Sequence, residues 1–178
     1  MQKEIPGVMK QIEPEYRSVY LAGPFFNSIQ IDIIKRIEDL CDAMGILCNS
    51  PRKFLVLKPK ACWEERGLVF RDNLLKIQSS GITLACLDNP DSKGNPRPPD
   101  PGTIWEMGYA YAIGRPVVAF STDELLRINV MLAQGCRGFL RGLPEVGEFL
   151  EGHEDLNDKN SSWDYNWGIA QEWRKEIQ

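Results

Sequence analysis

Ile82-Thr83-Leu84-Ala85-Cys86-Leu87 is an apolar run of strand length with no alternation of apolar and polar residues. A strand with one wet face shows a polar residue at every second position. A run apolar on both sides fits a parallel strand covered above and below. Upstream of it, Phe70, Leu74 and Ile77 mark one stripe of a helix that runs to about Ser80, with Phe70 on its buried side. Further back, Ile46–Cys48 is a short strand candidate, followed by a stretch to Pro59 with no clear period. Ile29, Ile33, Ile34, Ile37, Leu40, Cys41 and Met44 recur at helical spacing, and Gly45 suits the end of that helix. Ser18–Ala22 is a β-rich run stopped by Gly23-Pro24. Downstream, Thr103–Gly114 reads as a helix, Pro116–Phe120 as a second buried strand, Asp123–Ala133 as a helix and Gly138–Leu140 as a short strand. The β-α-β-α order predicts an α/β fold, a doubly wound parallel sheet of about five strands. One domain over 17–152 is expected, with an extension over 1–16 and an aromatic tail over 153–178.

The composition narrows the classes of function. The chain has 178 residues, 43% hydrophobic and 26% charged, with a net charge of −4. An acidic chain is a poor partner for phosphate backbones, so nucleic acid is not expected as a ligand. No apolar run approaches the ~20 residues of a membrane span. Met1–Tyr16 is polar, is broken by Pro6 and Pro14, and lacks the apolar core of a signal peptide. Cys41, Cys48, Cys62, Cys86 and Cys136 are odd in number and form no Cys-x-x-Cys pair. They read as reduced thiols of a cytoplasmic protein, and neither a metal site nor a cofactor is expected. The single histidine, His153, lies in the polar start of the tail, so any catalysis proceeds without a histidine base. Trp163, Trp167 and Trp173 either pin the tail to the domain or meet a partner subunit.

Ligands of doubly wound sheets bind beyond the carboxyl ends of the strands. There the sequence places Asp88–Gly102, a loop of fifteen residues holding five of the twelve prolines. Loops this long are usually functional or disordered, and the prolines favour a shaped lid over a floppy tether. The loop leads into Asp100-Pro101-Gly102-Thr103-Ile104-Trp105-Glu106. Two readings of Glu106 stand. With Thr103 as N-cap, Thr-x-x-Glu is a capping box and Glu106 is structural. Alternatively Glu106, on the wheel face of Gly102, Tyr109, Ala110 and Ile113, points into the crevice. The helix dipole would then favour its ionised form, making it a candidate nucleophile. Asp100 is either a turn aspartate or an acceptor for sugar hydroxyls. Asn73, at the border of the Phe70 stripe, is either a solvated amide or a partner for a heterocyclic base edge.

Three segments carry a resemblance: Tyr20-Leu21-Ala22-Gly23-Pro24-Phe25-Phe26; Asp100…Gly102…Glu106-Met107-Gly108-Tyr109-Ala110; and Asn129-Val130-Met131 before Ala133-Gln134-Gly135. In this order, over about Ser18–Leu140, the chain resembles the nucleoside 2-deoxyribosyltransferase family. The resemblance implies a flavodoxin-like sheet and homo-oligomers whose pockets are completed across a subunit interface. It implies Glu106 as nucleophile, Tyr20 as the tyrosine that orients it, and Asp100 as a sugar ligand. Gly23, Phe25 and Asn73 are implied around the substrate, with Asn129 and Met131 donated by the neighbouring subunit. The sequence departs from the family at Asn73, where many members carry an aspartate that handles the departing base. The expected substrates are nucleosides and free nucleobases. Deoxyribosyl transfer through a covalent glutamate ester is the leading reading. A deoxynucleoside 5′-monophosphate N-glycosidase and a non-catalytic nucleotide-binding protein are the alternatives. Gly23–Gln30 supplies no lysine or arginine for a phosphate, although Ser28 offers a hydroxyl. Asn129 and Met131 stand two apart, about 200° around a helix, so both meet one pocket only at an irregular or terminal turn.

Overall fold

The structure, a computed structural model, describes residues 15–54, 61–123, 126 and 128–152. The extension over 1–16 lies almost wholly outside the described residues, and the tail over 153–178 with His153 and its tryptophans lies entirely outside them. Strand β1 (Glu15–Ala22) leads to α1 (Ser28–Ala43), β2 (Leu47–Asn49) and a single turn α2 (Pro51–Phe54). Then follow α3 (Trp63–Ser79), β3 (Ser80–Cys86), α4 (Pro101–Ala112), β4 (Val117–Ser121), α5 (Val130–Gly135), β5 (Gly138–Arg141) and α6 (Gly142–Gly152). All strand pairs are parallel, in the order β2-β1-β3-β4-β5, which is the flavodoxin-like arrangement.

Period-two alternation divides the strand side chains between two buried faces. Val19, Leu21, Leu84, Cys86, Val118 and Phe120 face a core completed by Ile34, Ile37 and Cys41 of α1 and Phe149 of α6. Tyr20, Ala22, Ala85, Leu87, Val117 and Ala119 face the other, with Ile77 of α3 and Met107 and Ala110 of α4. Alanines at 22, 85, 110 and 119 keep that second layer thin, which lets α4 lie close to the strand ends.

Two helix starts and the burial of one side chain differ from expectation. Helix α3 starts at Trp63, two turns before Phe70, because Cys62 and Glu65 close a reciprocal cap there. Phe70 is half exposed, and Ile77 and Gln78 are the buried residues of that helix. The helix expected over Asp123–Ala133 is instead α5, beginning at Val130. Asp88 is the reason: its carboxylate accepts from Ser121 Oγ and from the Thr122 amide (2.8 Å) and hydroxyl (2.6 Å). Ser121 Oγ in turn takes the Asp123 amide at 3.0 Å, fixing a turn where the helix would have started.

Candidate active site

Three elements bring their side chains together beyond the strand ends. Tyr20, near the carboxyl end of β1, is fully buried and donates its hydroxyl to Glu106 Oε1 at 2.7 Å. Asn73 of α3 donates Nδ2 to the same oxygen at 3.2 Å. Glu106 Oε2 receives no hydrogen bond from any described residue. Two donors thus hold one carboxylate oxygen and leave the other with its lone pairs unengaged.

The N-cap of α4 is Asp100, not Thr103: Asp100 Oδ2 accepts from the Thr103 amide at 3.0 Å and from its hydroxyl at 3.4 Å. Pro101 fills the first helical position, where no amide hydrogen is needed. The capping-box reading of Glu106 is therefore overturned, since its carboxylate bonds to Tyr20 and Asn73. Glu106 stands on the second turn, beyond the reach of most of the dipole, and the expected bias toward ionisation is reversed. Burial, with the Asp100 charge adding to it, pushes the Glu106 carboxyl up to about 7, against the opposing pull of the Tyr20 and Asn73 bonds. Burial also raises the Tyr20 hydroxyl, and the Glu106 charge and hydrogen bond add to it, so Tyr20 stays a donor.

A cavity of about 350 Å³ opens beside this cluster between α3 and α4, lined by Arg66, Val69, Phe70, Asn73, Gly102, Trp105 and Glu106. Phe70 and Trp105 meet at 5.2 Å between ring centroids, and Trp105 stacks on Tyr109. Arg66 and Trp105 were not singled out by sequence, and Phe70 was read only as a buried stripe residue. Arg66 precedes the stripe that marked the helix, whereas its seven-residue spacing to Asn73 would have signalled a shared face. A Cβ at Gly102 would stand 2.9 Å from Asp100 Oδ2, so a side chain there would displace the capping carboxylate.

The remaining expected residues make no hydrogen bond to the cluster. Gly23 is packed tightly, since a Cβ would come within 2.6 Å of Ile34 Cδ1 and 2.9 Å of Cys86 Cβ. Phe25 stacks on the exposed Phe26. The proline-rich loop is tied to this segment: Asn27 Nδ2 donates to the Pro90 carbonyl at 2.9 Å, and Gln30 Nε2 to Asn89 Oδ1 at 3.0 Å. Asn129 is the N-cap of α5, its Oδ1 accepting from the Met131 amide at 2.8 Å, and Met131 is 78% exposed. No bond joins either residue to Glu106, Tyr20 or Asn73 within the chain. Among the described residues there is no group of three or more side chains that could hold a metal ion, and no helix long and apolar enough to cross a membrane.

The profile of the family described as nucleoside 2-deoxyribosyltransferase matches residues 19–145. A 2-deoxyribosyltransferase from Bacillus psychrosaccharolyticus is 30% identical, with 73% of this chain and 90% of that chain covered and a TM-score of 0.62. A conserved protein from Enterococcus faecalis V583 shares the fold at 19% identity, with 78% and 99% covered and a TM-score of 0.63. A CMP N-glycosidase from Clostridium botulinum, 20% identical over 76% of this chain and 99% of that chain, has a TM-score of 0.48. No curated protein sequence matches the chain significantly.

Proposed function

The chain belongs to the nucleoside 2-deoxyribosyltransferase family, whose members act on nucleosides, and we propose that it moves a 2-deoxyribosyl group between nucleobases through an ester on Glu106. The observation that carries this reading is the pair of donors, Tyr20 and Asn73, on one oxygen of a half-buried carboxylate whose other oxygen is unengaged. Cleavage of the N-glycosidic bond develops positive charge at the anomeric carbon, and a fixed carboxylate stabilises that charge and then captures it. Glu106 Oε2 forms the bond to the anomeric carbon while the carbon–nitrogen bond breaks, its electron pair leaving with the base. A second base then attacks the same carbon, the ester bond breaks toward Glu106, and configuration is retained overall. The departing base gains one proton and the incoming base loses one, so the exchange balances.

Asn73 bears on the base. Its Oδ1 is buried and accepts no hydrogen bond from any described residue, which leaves an acceptor for a base N–H. An amide neither gains nor loses a proton in this range, so Asn73 positions the base and does not protonate it. Asp100 and Asn129 supply groups for the sugar: one Asp100 oxygen remains beside the helix cap, and the Asn129 amide nitrogen suits the 5′-hydroxyl. Gly23 and Phe25 border the strand end. Asn129 and Met131 reach the site of a neighbouring subunit in a homo-oligomer. The 78% exposure of Met131 and 52% exposure of Val130, at the start of a short helix, support that arrangement, since a covering surface would bury them.

The test is chromatography of a deoxynucleoside incubated with a different free base. An exchanged nucleoside is the expected product. Free base with free sugar would make the protein a hydrolase, and no change would leave it a binder.

A further inference from the structure

The cavity between α3 and α4 is edged by an exposed arginine, Arg66, that the chemistry above does not use. Arg66 lies on the first turn of α3, where the helix dipole opposes a positive charge. The adjacent Glu65 is turned back to the Cys62 amide at 2.8 Å, and Arg66 makes no ion pair among the described residues. Its one side-chain bond to a described residue runs from Nε to the Ala61 carbonyl at 3.1 Å. That bond fixes the guanidinium plane and leaves both terminal nitrogens for a ligand.

We propose that Arg66 reads the base: its terminal nitrogens donate to O6 and N7 of a 6-oxopurine whose ring lies between α3 and α4. This rests on the nucleoside reading above and names the substrate class of that same site. Three observations support it. Arg66 and Asn73 are seven residues apart on one face of α3, about 10 Å along the axis, so a base seated over Glu106 must be long to meet both. A bicyclic purine is the longer nucleobase. Phe70 and Trp105 give the cavity aromatic sides suited to a heterocycle. Guanidinium is donor-only, and its two parallel N–H groups match the adjacent O6 and N7 acceptors of an oxopurine. Adenine places an amino donor where the carbonyl would be, leaving donors facing one another.

A 5′-phosphate offers the same acceptor chemistry, so the experiment separates the two sources. Affinities of hypoxanthine, adenine, deoxyadenosine and deoxyadenosine 5′-monophosphate are measured by titration calorimetry for the wild type and for Arg66→Met. The proposal predicts a wild-type preference for hypoxanthine over adenine that falls about 10- to 100-fold in the variant. The ratio is internal to each preparation, so a fraction of misfolded protein does not move it. An unchanged ratio, or no binding of either base by the wild type, overturns the proposal. So does a variant that loses affinity for the monophosphate relative to the nucleoside while its base ratio stays fixed. Base discrimination without deoxyribosyl exchange would sink the transferase reading and leave Arg66 as assigned. Exchange with an unmoved ratio would do the reverse.

Discussion

In the proposed reaction Glu106 is the residue on which the chemistry turns, and its environment makes opposite demands on stability and activity. Between 4.5 and about 7 the unfolded chain has lost the Glu106 proton while the folded protein keeps it. Stability contributed by the raised carboxyl is therefore fully present below about pH 4.5 and declines as pH rises through 7. Glu106→Gln should thus be more stable than the wild type at pH 8, by about 1–2 kcal/mol, with the difference vanishing near pH 5. Denaturant melts at the two pH values check this, and equal stability at pH 8 would contradict it. Transfer requires the ionised form, so wild-type kcat/KM should fall with pH below about 7. Tyr20→Phe removes a bond that lowers the Glu106 pKa, so the acid limb should move to higher pH. The maximal rate should fall about 10-fold, the cost of one hydrogen bond to a charged group. A pH–rate profile that keeps its limb in place would assign Tyr20 no part in holding the carboxylate.

The helices and strands show which features a sequence exposes. The buried strands Ser80–Cys86 and Val117–Ser121 were legible because two covered faces leave an unbroken apolar run. Helix α1 was legible from its single stripe. The start of α5 was not, because a side chain from another strand end, Asp88, holds Ser121 and Thr122 in a turn. Long-range hydrogen bonds of that kind leave no local pattern. Glu106 illustrates the same limit: Thr103-x-x-Glu106 fits a capping box, yet the partner that decides its role is Tyr20, 86 residues away. Arg66 was missed because α3 begins on a capping pair with a cysteine, a residue rarely associated with helix starts. The segment between β1 and α1 carries its own prediction. Gly23→Ala brings a methyl into Ile34 and Cys86, and overpacking of this kind costs about 1–3 kcal/mol. Thermal melts should show the loss, and an unchanged Tm would mean that the strand end has more room than its packing indicates.

For the whole molecule, the proposal of a shared site predicts a specific behaviour of mixtures. Glu106→Ala and Asn129→Ala should each be inactive alone and should regain activity when their subunits exchange. Some hybrid interfaces then pair an intact Glu106 with an intact Asn129. Verified exchange without recovery would place Asn129 in its own subunit's site or outside any site. The central claim, that the sugar passes through Glu106 as an ester, is tested most directly by mass. Wild-type protein mixed with a deoxynucleoside, quenched in acid and measured intact, should carry one added deoxyribosyl group, and peptide mapping should place it on Glu106. Glu106→Ala, expected to fold because the helix cap rests on Asp100, should carry none. An adduct on another residue, or exchange in Glu106→Ala at near wild-type rates, would contradict the account.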